Sequence, residues 1–488
     1  MFLAVAVIVA APSSRAADRR GRSNADSLEV RINRIANDVA NRRPYFDDDP
    51  LPVHIATSFN DDGDLLIMDL GERLGPRSGL ATVEELEADI QESIWPLVNG
   101  RPGFKGIEWR FGGKDMYHWF PQDRPKPLSM KRFGGPDVLI GAGHGYYYHY
   151  GFKDWRPQRD VHHGILEDEI TTEYASVLFG TLLISGVSPA SIRESSFGNH
   201  GPSGQPYHMI AARYQLQDKL PARPDIWHSL PDNTEDQRER LEDIRSRPLY
   251  ANEVGAGALI HLHTNALDNP AVRGTRVFYQ LGSSESARLG SMILCYMGEA
   301  IHSIEKYRDF PVDSAPTPGN HGENRLASMP SVIVEVGFHT NAEDAAALTD
   351  YKFMTHSMTG VAKGYRLFDS GRTCEPFEIS APAAVEAKVD QDAVVMASGA
   401  GFPTFPVAFR LTLAACDPSS GSCGIDYESI RSEEQLGSVG LSFTCRAEHV
   451  GKTVKLELTA EDFEGVKAGP IAISAMCHPK DEAASLIE

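Results

Sequence analysis

The chain has 488 residues, of which 41% are hydrophobic and 23% are charged, as in ordinary soluble globular proteins. This length favours two to four domains. With 67 acidic and 47 basic residues the net charge is −20, which disfavours binding driven by a nucleic-acid backbone or by anionic lipid. No apolar run approaches the roughly 18 residues that a membrane-spanning helix needs.

The chain begins with an apolar run from Phe2 to Ala11, followed by small residues up to Ser14-Arg15-Ala16. This pattern is typical of a secretory signal peptide, here residues 1–16, cleaved near Ala16. No Lys or Arg precedes the apolar run, so a misassigned start or a disordered tail is the alternative. We expect an exported protein, periplasmic or extracellular.

Residues 28–125 are predicted to form a small α+β module, preceded by a polar segment expected to lack regular structure. A capping box at Thr82-Val-Glu-Glu85 predicts the start of a helix, and Pro96 is expected to end it. The apolar positions of this helix fall on one stripe, formed by Val83, Leu86, Ile90 and Ile94. No catalytic cluster is evident in the module.

Residues 135–370 alternate between short apolar runs and helical patterns, which predicts a central α/β domain with a twisted sheet covered by helices on both faces. Residues 195–250 interrupt this alternation with Gly, Pro and Asp clusters, so they are a candidate lid or rim insertion.

Residues 375–488 contain short β-like runs at hairpin-like spacing, which favours an immunoglobulin-like β-sandwich. Five of the six cysteines fall within residues 374–488, without the paired spacing of zinc sites, so a disulfide-containing exported domain is expected. The favoured pairs are Cys416 with Cys423 and Cys445 with Cys477, while Cys295 lies alone upstream. Sequence alone does not determine this connectivity.

Four polar residues stand where a sheet of this kind would bring side chains together. His144 lies in the glycine turn after the first strand of the α/β region, Glu167 opens a helix, and His263 and Glu335 lie near the ends of later strands. The carboxyl ends of strands line the ligand crevice of an open α/β sheet. Two imidazoles and one carboxylate form a catalytic zinc set, and a further carboxylate can act as general base.

Several neighbouring residues compete for these roles. His261 lies two residues before His263 and therefore on the same face of the strand, so periodicity cannot choose between them. Asp168 and Glu169 follow Glu167, and a slip of one position in this assignment is an alternative. Surface or rim roles are favoured for three other histidines, and Arg193 is expected to be a structural or outer-sphere cation. These histidines are His149, His162 and His163.

Five motifs occur in a characteristic order along the α/β region. They are Gly141-Ala-Gly-His-Gly145, Gly164-Ile-Leu-Glu-Asp168, Arg247-Pro-Leu-Tyr-Ala-Asn252, Leu259-Ile-His-Leu-His-Thr-Asn-Ala266 with Gly274-Thr-Arg-Val-Phe-Tyr279, and Met329-Pro-Ser-Val-Ile-Val-Glu-Val-Gly-Phe-His-Thr-Asn341. This succession resembles the zinc-dependent N-acetylmuramoyl-L-alanine amidases that cut bacterial cell walls, over about half of the chain.

The resemblance implies a role for each of the four polar residues. The family's zinc ligands fall on His144, Glu167 and His263, the last because the family motif places a His before x-Asn-Ala. The family's catalytic carboxylate falls on Glu335. One zinc ion per catalytic domain is implied.

The chain also departs from the family pattern. Gly141 stands where the family usually has Asp, Tyr146 follows Gly145 where Gly is usual, and His339 replaces a commonly apolar residue. The tyrosines Tyr146 to Tyr148 are expected to reshape the cleft, so these departures concern substrate preference more than the metal.

The implied function is zinc-dependent hydrolysis of the amide that joins N-acetylmuramic acid to L-alanine in peptidoglycan. The alternatives are a zinc peptidase that cuts another amide of the wall and a wall-binding protein with a degenerate amidase domain. Peptidoglycan is the expected partner, with an envelope partner held by the flanking modules and no nucleic acid.

Overall fold

The computed structural model describes residues 15–42, 52–77, 81–129, 131–194, 198–414 and 423–480. Three regions follow one another along the chain, and each has its own buried apolar core. Most of the predicted signal peptide lies outside the described residues. In the part of the chain that is described, no helix combines the length and the apolar character that crossing a membrane requires.

The N-terminal region packs helix α2 against a small sheet. Its elements are α1 (Arg15–Ala40), β1 (Ala56–Phe59), β2 (Leu65–Asp69), α2 (Ala81–Val98) and β3 (Gly106–Arg110). β2 pairs antiparallel with β1 and parallel with β3. The predicted apolar stripe of α2 is confirmed, because all four of its members are buried in the core of this region.

Two expectations for the N-terminal region were wrong. The polar segment before residue 28 belongs to α1 and does have regular structure. Helix α2 continues two residues past Pro96 to Val98. Pro96 has no backbone N–H to donate to the preceding turn, but only two residues of the helix follow it, so the loss of one hydrogen bond comes at the end of α2.

The central domain is built on a six-stranded mixed sheet. The strands of the whole domain are β4 (Val138–Ala142), β5 (Tyr147–His149), β6 (Asp154–Arg156), β7 (Pro189–Ser191), β8 (Ala258–Asn265), β9 (Arg276–Gln280), β10 (Thr317–Gly319) and β11 (Ser331–Phe338). The order in the sheet is β10-β9-β11-β8-β4-β7, and only the β9–β11 pairing is antiparallel. β5 and β6 form a separate ribbon.

Helices accompany this sheet, as the alternating sequence pattern predicts. They are α3 (Glu167–Ile184), α4 (Ala212–Lys219), α5 (Pro224–Trp227), α6 (Arg238–Val254), α7 (Ser284–His302), α8 (Gly322–Arg325), α9 (Ala342–Leu348) and α10 (Tyr351–Asp369). Successive residues of β4 enter different cores: Val138 and Ile140 pack with α3, α7 and α10, whereas Leu139 packs with α4, α5 and α6. The sheet is therefore buried on both sides, which explains why its strands are almost wholly apolar.

The C-terminal region is rich in strands. It contains β12 (Glu378–Ser380), β13 (Ala384–Lys388), β14 (Asp392–Ala400), β15 (Val407–Leu413), β16 (Gly424–Ile430), α11 (Glu433–Leu436), β17 (Val439–Thr444), β18 (Thr453–Glu461) and β19 (Lys467–His478). Two sheets, β12-β14-β17 and β13-β19-β18-β15-β16, contribute to one core.

Two disulfides lie among the described residues. Cys445 pairs with Cys477, which confirms one of the favoured pairs. Cys295 is not isolated, because helix α7 carries it next to Cys374 in the connection to the C-terminal region, and the two are bonded. Cys416 lies outside the described residues.

Candidate metal centre

His144 and its glycine turn are placed at the end of β4 by close packing. His144 adopts a left-handed backbone with a φ of 59°, and the following Gly145 has a φ of 125°. A Cβ atom on Gly143 would come within 2.4 Å of His263 Cε1, so the turn must lack a side chain there. The glycines therefore allow the backbone to pass directly beside the second histidine.

The other three residues converge because of the strand and helix positions. Glu167 is the first residue of α3, and its Oε1 accepts a hydrogen bond from the backbone N–H of Thr264 at 3.0 Å. His263 in β8 lies directly opposite Glu335 in the neighbouring parallel strand β11. The register of two adjacent strands thus brings a histidine and a carboxylate together.

Three side chains form a compact ligand set. His263 Nδ1 lies 3.1 Å from His144 Nε2 and 3.1 Å from Glu167 Oε1, and His144 Nε2 lies 3.2 Å from Glu167 Oε1. All three residues are buried, and these atoms lie within 4.8 Å of one another. The set could hold a metal ion.

The two histidines of the ligand set have different pKa values. Burial and the nearby Arg159 lower the pKa of His144 to about 3, so His144 is neutral and ready to bind a metal at pH 7. Burial also lowers the pKa of His263, but Glu323 and Glu167 outweigh it and raise the pKa to about 10. The two rings therefore differ in charge at pH 7, with His144 neutral and His263 protonated.

In each histidine, the outer ring nitrogen, which is the one outside the ligand set, contacts a residue that the sequence analysis did not predict. His144 Nδ1 lies 3.2 Å from Gln158 Oε1, and His263 Nε2 lies 3.0 Å from Glu323 Oε2. Such partners hold the ring orientation and tautomer of metal-binding histidines. Gln158 and Glu323 lie in segments without a periodic pattern or motif, so no sequence signal points to them.

A buried chain of polar contacts connects these two partners. Gln158 Nε2 donates to Asp243 Oδ2 at 3.0 Å, and Arg247 Nη2 donates to the same oxygen at 3.0 Å. Arg247 Nη1 in turn lies 2.5 Å from Glu323 Oε1. The outer sides of both histidines are therefore held by one continuous network that uses α6.

Glu335 faces the same cavity as the ligand set. Its Oε2 atom is buried and has no hydrogen-bond partner among the described residues. Burial raises the pKa of Glu335 to about 8, and the negative charge of Glu167 adds to this effect. A carboxyl group with a pKa close to neutral pH and an unpartnered oxygen can both take up and release a proton.

The competing residues lie elsewhere. His261 is buried outside the ligand set, 3.2 Å from Glu323, and burial lowers its pKa to about 3. Asp168 lies outside the set and accepts hydrogen bonds from three backbone N–H groups, those of Gly145 at 2.8 Å, Gln158 at 2.7 Å and Arg159 at 3.1 Å. Glu169 is exposed, because two residues of α-helix turn it to the side of α3 opposite Glu167.

The remaining candidates have structural or rim positions. Arg193 donates to the carbonyl of Gly143 at 2.8 Å and to that of Asp168 at 2.9 Å, which matches a structural cation. His163 is exposed, whereas His149 is buried. His339 is also buried, and its Nδ1 lies 2.9 Å from Thr264 Oγ1, which explains how a polar ring is accommodated there.

The ligand set opens into a cavity of about 760 Å³ that two regions of the chain enclose. The central domain supplies the ligands, Glu335 and Tyr147, the middle member of the tyrosine run. Helix α2 of the N-terminal region supplies an acidic wall, formed by Glu84, Glu85, Glu87, Asp89 and Glu92. The N-terminal region therefore borders the site, although its sequence has no catalytic cluster.

Comparison with known proteins identifies a family for the central domain. Residues 138–366, a little under half of the chain, match the family model described as N-acetylmuramoyl-L-alanine amidase. No curated protein matches the chain.

Solved structures similar to this chain include three amidases. The catalytic domain of CwlV, from Bacillus (Paenibacillus) polymyxa var. colistinus, is 18% identical, with a TM-score of 0.30, and the match covers 48% of this chain and 97% of that one. AmiC2 of Nostoc punctiforme is 19% identical, with a TM-score of 0.31, over 48% and 96%. The CwlD amidase of Clostridioides difficile, solved in complex with the GerS lipoprotein, is 16% identical, with a TM-score of 0.33, over 48% and 99%.

Proposed function

Residues 138–366 belong to the N-acetylmuramoyl-L-alanine amidase family, and from this premise we propose how their site hydrolyses the amide between N-acetylmuramic acid and L-alanine in peptidoglycan. One zinc ion is held by His144, Glu167 and His263, and Glu335 is the catalytic base. The observation that carries the proposal is the convergence of the three ligand atoms beside a buried carboxylate in one cavity.

The donor set fits zinc. Two imidazole nitrogens and one carboxylate oxygen are a known catalytic zinc combination, and three protein ligands leave a coordination position open. The buried, partnered outer nitrogens of both histidines also match what zinc ligands require. When bound, zinc supplies a Lewis acid that polarises the amide carbonyl and acidifies water.

Glu335 performs the proton transfers of the reaction. It takes a proton from the attacking water as the oxygen bonds to the carbonyl carbon of the lactyl group. It then gives that proton to the nitrogen of L-alanine as the carbon–nitrogen bond breaks. The unpartnered Oε2 atom supports this role, because it is free to hold the transferred proton.

Product analysis tests this proposal. Zinc-loaded protein is incubated with purified peptidoglycan, and the soluble products are measured by mass spectrometry beside Glu335→Gln as the control variant. We expect stem peptides with a free L-alanine amino terminus. The variant should lose roughly 10²–10⁴-fold in rate while it binds zinc as the native protein does.

Other outcomes would contradict the proposal in identifiable ways. Shortened peptides still attached to muramic acid would make the enzyme a peptidase of the wall. Full activity of Glu335→Gln would remove Glu335 from the mechanism. Absence of bound zinc in the native protein would favour a wall-binding module with a degenerate site.

The flanking regions complete the proposal at the level of the whole chain. We propose that residues 28–125 and 375–488 are modules with apolar cores of their own, the second an immunoglobulin-like β-sandwich, and that both help to hold the enzyme at the wall or at an envelope partner. Export follows from the signal-like residues 1–16, and the two disulfides support it because such bonds persist in oxidising compartments.

A further inference from the structure

We infer that the N-terminal region is a structural part of the metal centre, because helix α2 holds in place two residues, Glu323 and Arg159, that position the ligands His263 and Glu167. The inference rests on the proposed zinc site and assigns a role to a region whose sequence suggests none.

Two faces of helix α2 contact different regions of the chain. Its apolar stripe is buried in the core of the N-terminal region. The neighbouring face carries Glu84, Glu87 and Gln91, which are spaced by three and four residues and therefore lie side by side. This second face contacts the central domain, so α2 packs in the core of its own region on one side and binds the central domain on the other.

The first contact from this face reaches α8. Glu84 Oε1 accepts a hydrogen bond from the backbone N–H of Gly322 at 3.0 Å and another from Arg325 Nη2 at 3.1 Å. Arg325 is fully buried, so its charge needs this carboxylate. Gly322 and Arg325 are the two ends of α8, and Glu323 lies between them.

Two further contacts hold the residues just before α8. Glu87 Oε2 accepts a hydrogen bond from Asn320 Nδ2 at 2.9 Å, and Gln91 Nε2 donates to the carbonyl of Pro318 at 2.9 Å. The 318–325 segment is thus bound to α2 at several successive points, which fixes the backbone that carries Glu323.

Glu323 transmits this constraint to the ligand set. Its buried carboxylate lies 3.0 Å from His263 Nε2 and 2.5 Å from Arg247 Nη1. A metal held at Nδ1 leaves Nε2–H of His263 to donate to Glu323. Displacement of α8 would therefore rotate or release the ring that binds the metal.

A second route runs through Glu85 on the same helix. Glu85 Oε1 accepts a hydrogen bond from Arg159 Nη1 at 2.8 Å and also pairs with Arg240. Arg159 Nε lies 3.5 Å from Glu167 Oε2, the oxygen that faces away from the histidines. Helix α2 therefore supports two of the three ligands from outside.

Zinc affinity of the full chain tests the inference. Competition with a chromophoric chelator should show that Glu84→Ala binds zinc roughly 10- to 100-fold more weakly than the native protein, the range typical of lost outer-sphere partners. The visible absorption spectrum of the cobalt-substituted protein should change as well, because it reports ligand geometry. Glu84→Gln keeps an acceptor for Gly322 but not the charge that pairs with Arg325, so it should restore only part of the affinity.

A double-mutant cycle decides whether the effect passes through Glu323. Glu323→Gln alone should weaken zinc binding, and adding Glu84→Ala should cause little further loss, since coupled residues are non-additive. Gln91→Ala leaves no buried charge without a partner, and it should weaken zinc binding about threefold or more. Added to Glu323→Gln, it too should cause little further loss. That variant decides the matter if Glu84→Ala does not fold.

The control is Glu299→Gln, which removes one charge of another buried ion pair, that with Lys363, on helices that carry no ligand. It should keep native zinc affinity. Native affinity in folded Glu84→Ala and Gln91→Ala, or additive losses in the cycle, would overturn the inference and leave the proposed amidase intact. A native protein that binds no zinc would instead overturn the proposed function.

Discussion

Gly143 illustrates how one residue without a side chain shapes the candidate metal centre. Its position leaves no space for a Cβ atom, because the ring of His263 lies against it. The glycine motif that sequence analysis singles out is therefore explained by packing between two neighbouring strands, and not by backbone flexibility alone.

Substitution of this glycine should separate metal binding from folding. Gly143→Ala would push the His263 ring out of its position, so we expect zinc affinity to fall by roughly tenfold or more. Gly180→Ala is the matched control, since the corresponding Cβ meets nothing within 4 Å in α3 and should leave affinity unchanged. Native zinc binding by Gly143→Ala in a chelator titration would contradict the placement of the ring.

Glu87 shows how burial of one carboxyl links stability to pH. Burial raises the pKa of Glu87 to about 8, above its ordinary value near 4.5. The folded state thus favours the protonated form, and this contribution to stability is complete below about pH 4.5 and lost as the pH rises to about 8.

Glu87→Gln should therefore stabilise the protein at high pH. The neutral amide avoids the buried charge, so the free energy of unfolding at pH 9 should rise by on the order of a few kcal/mol, and the gain should vanish near pH 4. Thermal denaturation at both pH values measures this, with the exposed Glu72→Gln as control. An equal gain at both values would refute the titration of Glu87.

At the scale of elements, α7 and α10 are joined by a buried ion pair. Lys363 Nζ lies 2.5 Å from Glu299 Oε2, and both side chains are nearly inaccessible. Glu299 Oε1 also accepts a hydrogen bond from the backbone N–H of Phe377 at 2.7 Å, at the start of the C-terminal region. The pair therefore ties two helices and a connecting segment together.

Removal of one partner should cost more than removal of both charges. Lys363→Ala leaves the Glu299 carboxylate buried without its cation, and we expect a loss of about 3–5 kcal/mol in the free energy of unfolding. Lys363→Met combined with Glu299→Gln should recover most of this loss, because the amide still accepts from Phe377. Urea denaturation compares the variants, and a double variant as unstable as the single one would contradict the argument.

At the scale of the whole molecule, the Cys295–Cys374 disulfide joins the central domain to the chain leading into the C-terminal region. It closes a separation of 79 residues. In the chain-entropy model, removing the constraint on a loop of this length lowers the free energy of unfolding by about 4.5 kcal/mol.

The double variant Cys295→Ala/Cys374→Ala should therefore lower the denaturation midpoint of the central domain. The comparison is Cys445→Ala/Cys477→Ala, which opens a separation of 32 residues inside the C-terminal region and should affect that region instead. Domain-resolved hydrogen exchange distinguishes the two. Equal protection of the central domain in the native protein and the first variant would contradict this role.

Local patterns sufficed for the α/β character of the central domain, the apolar stripe of α2 and the strand-rich C-terminal region, since each depends on periodicity in a short stretch of chain. The candidate residues His144, Glu167, His263 and Glu335 also came from local motifs. Each of these features depends on residues that are close together in the sequence, so it can be recognised without knowing the contacts between distant parts of the chain.

Other features exist only after folding. The contacts of Gln158 and Glu323 with the histidines, the Cys295–Cys374 bond and the place of α2 beside the cavity all join residues far apart in the chain. Their partners are set by strand order, strand register and the packing of one region on another, because these decide which buried polar groups can satisfy each other. No local pattern carries that information.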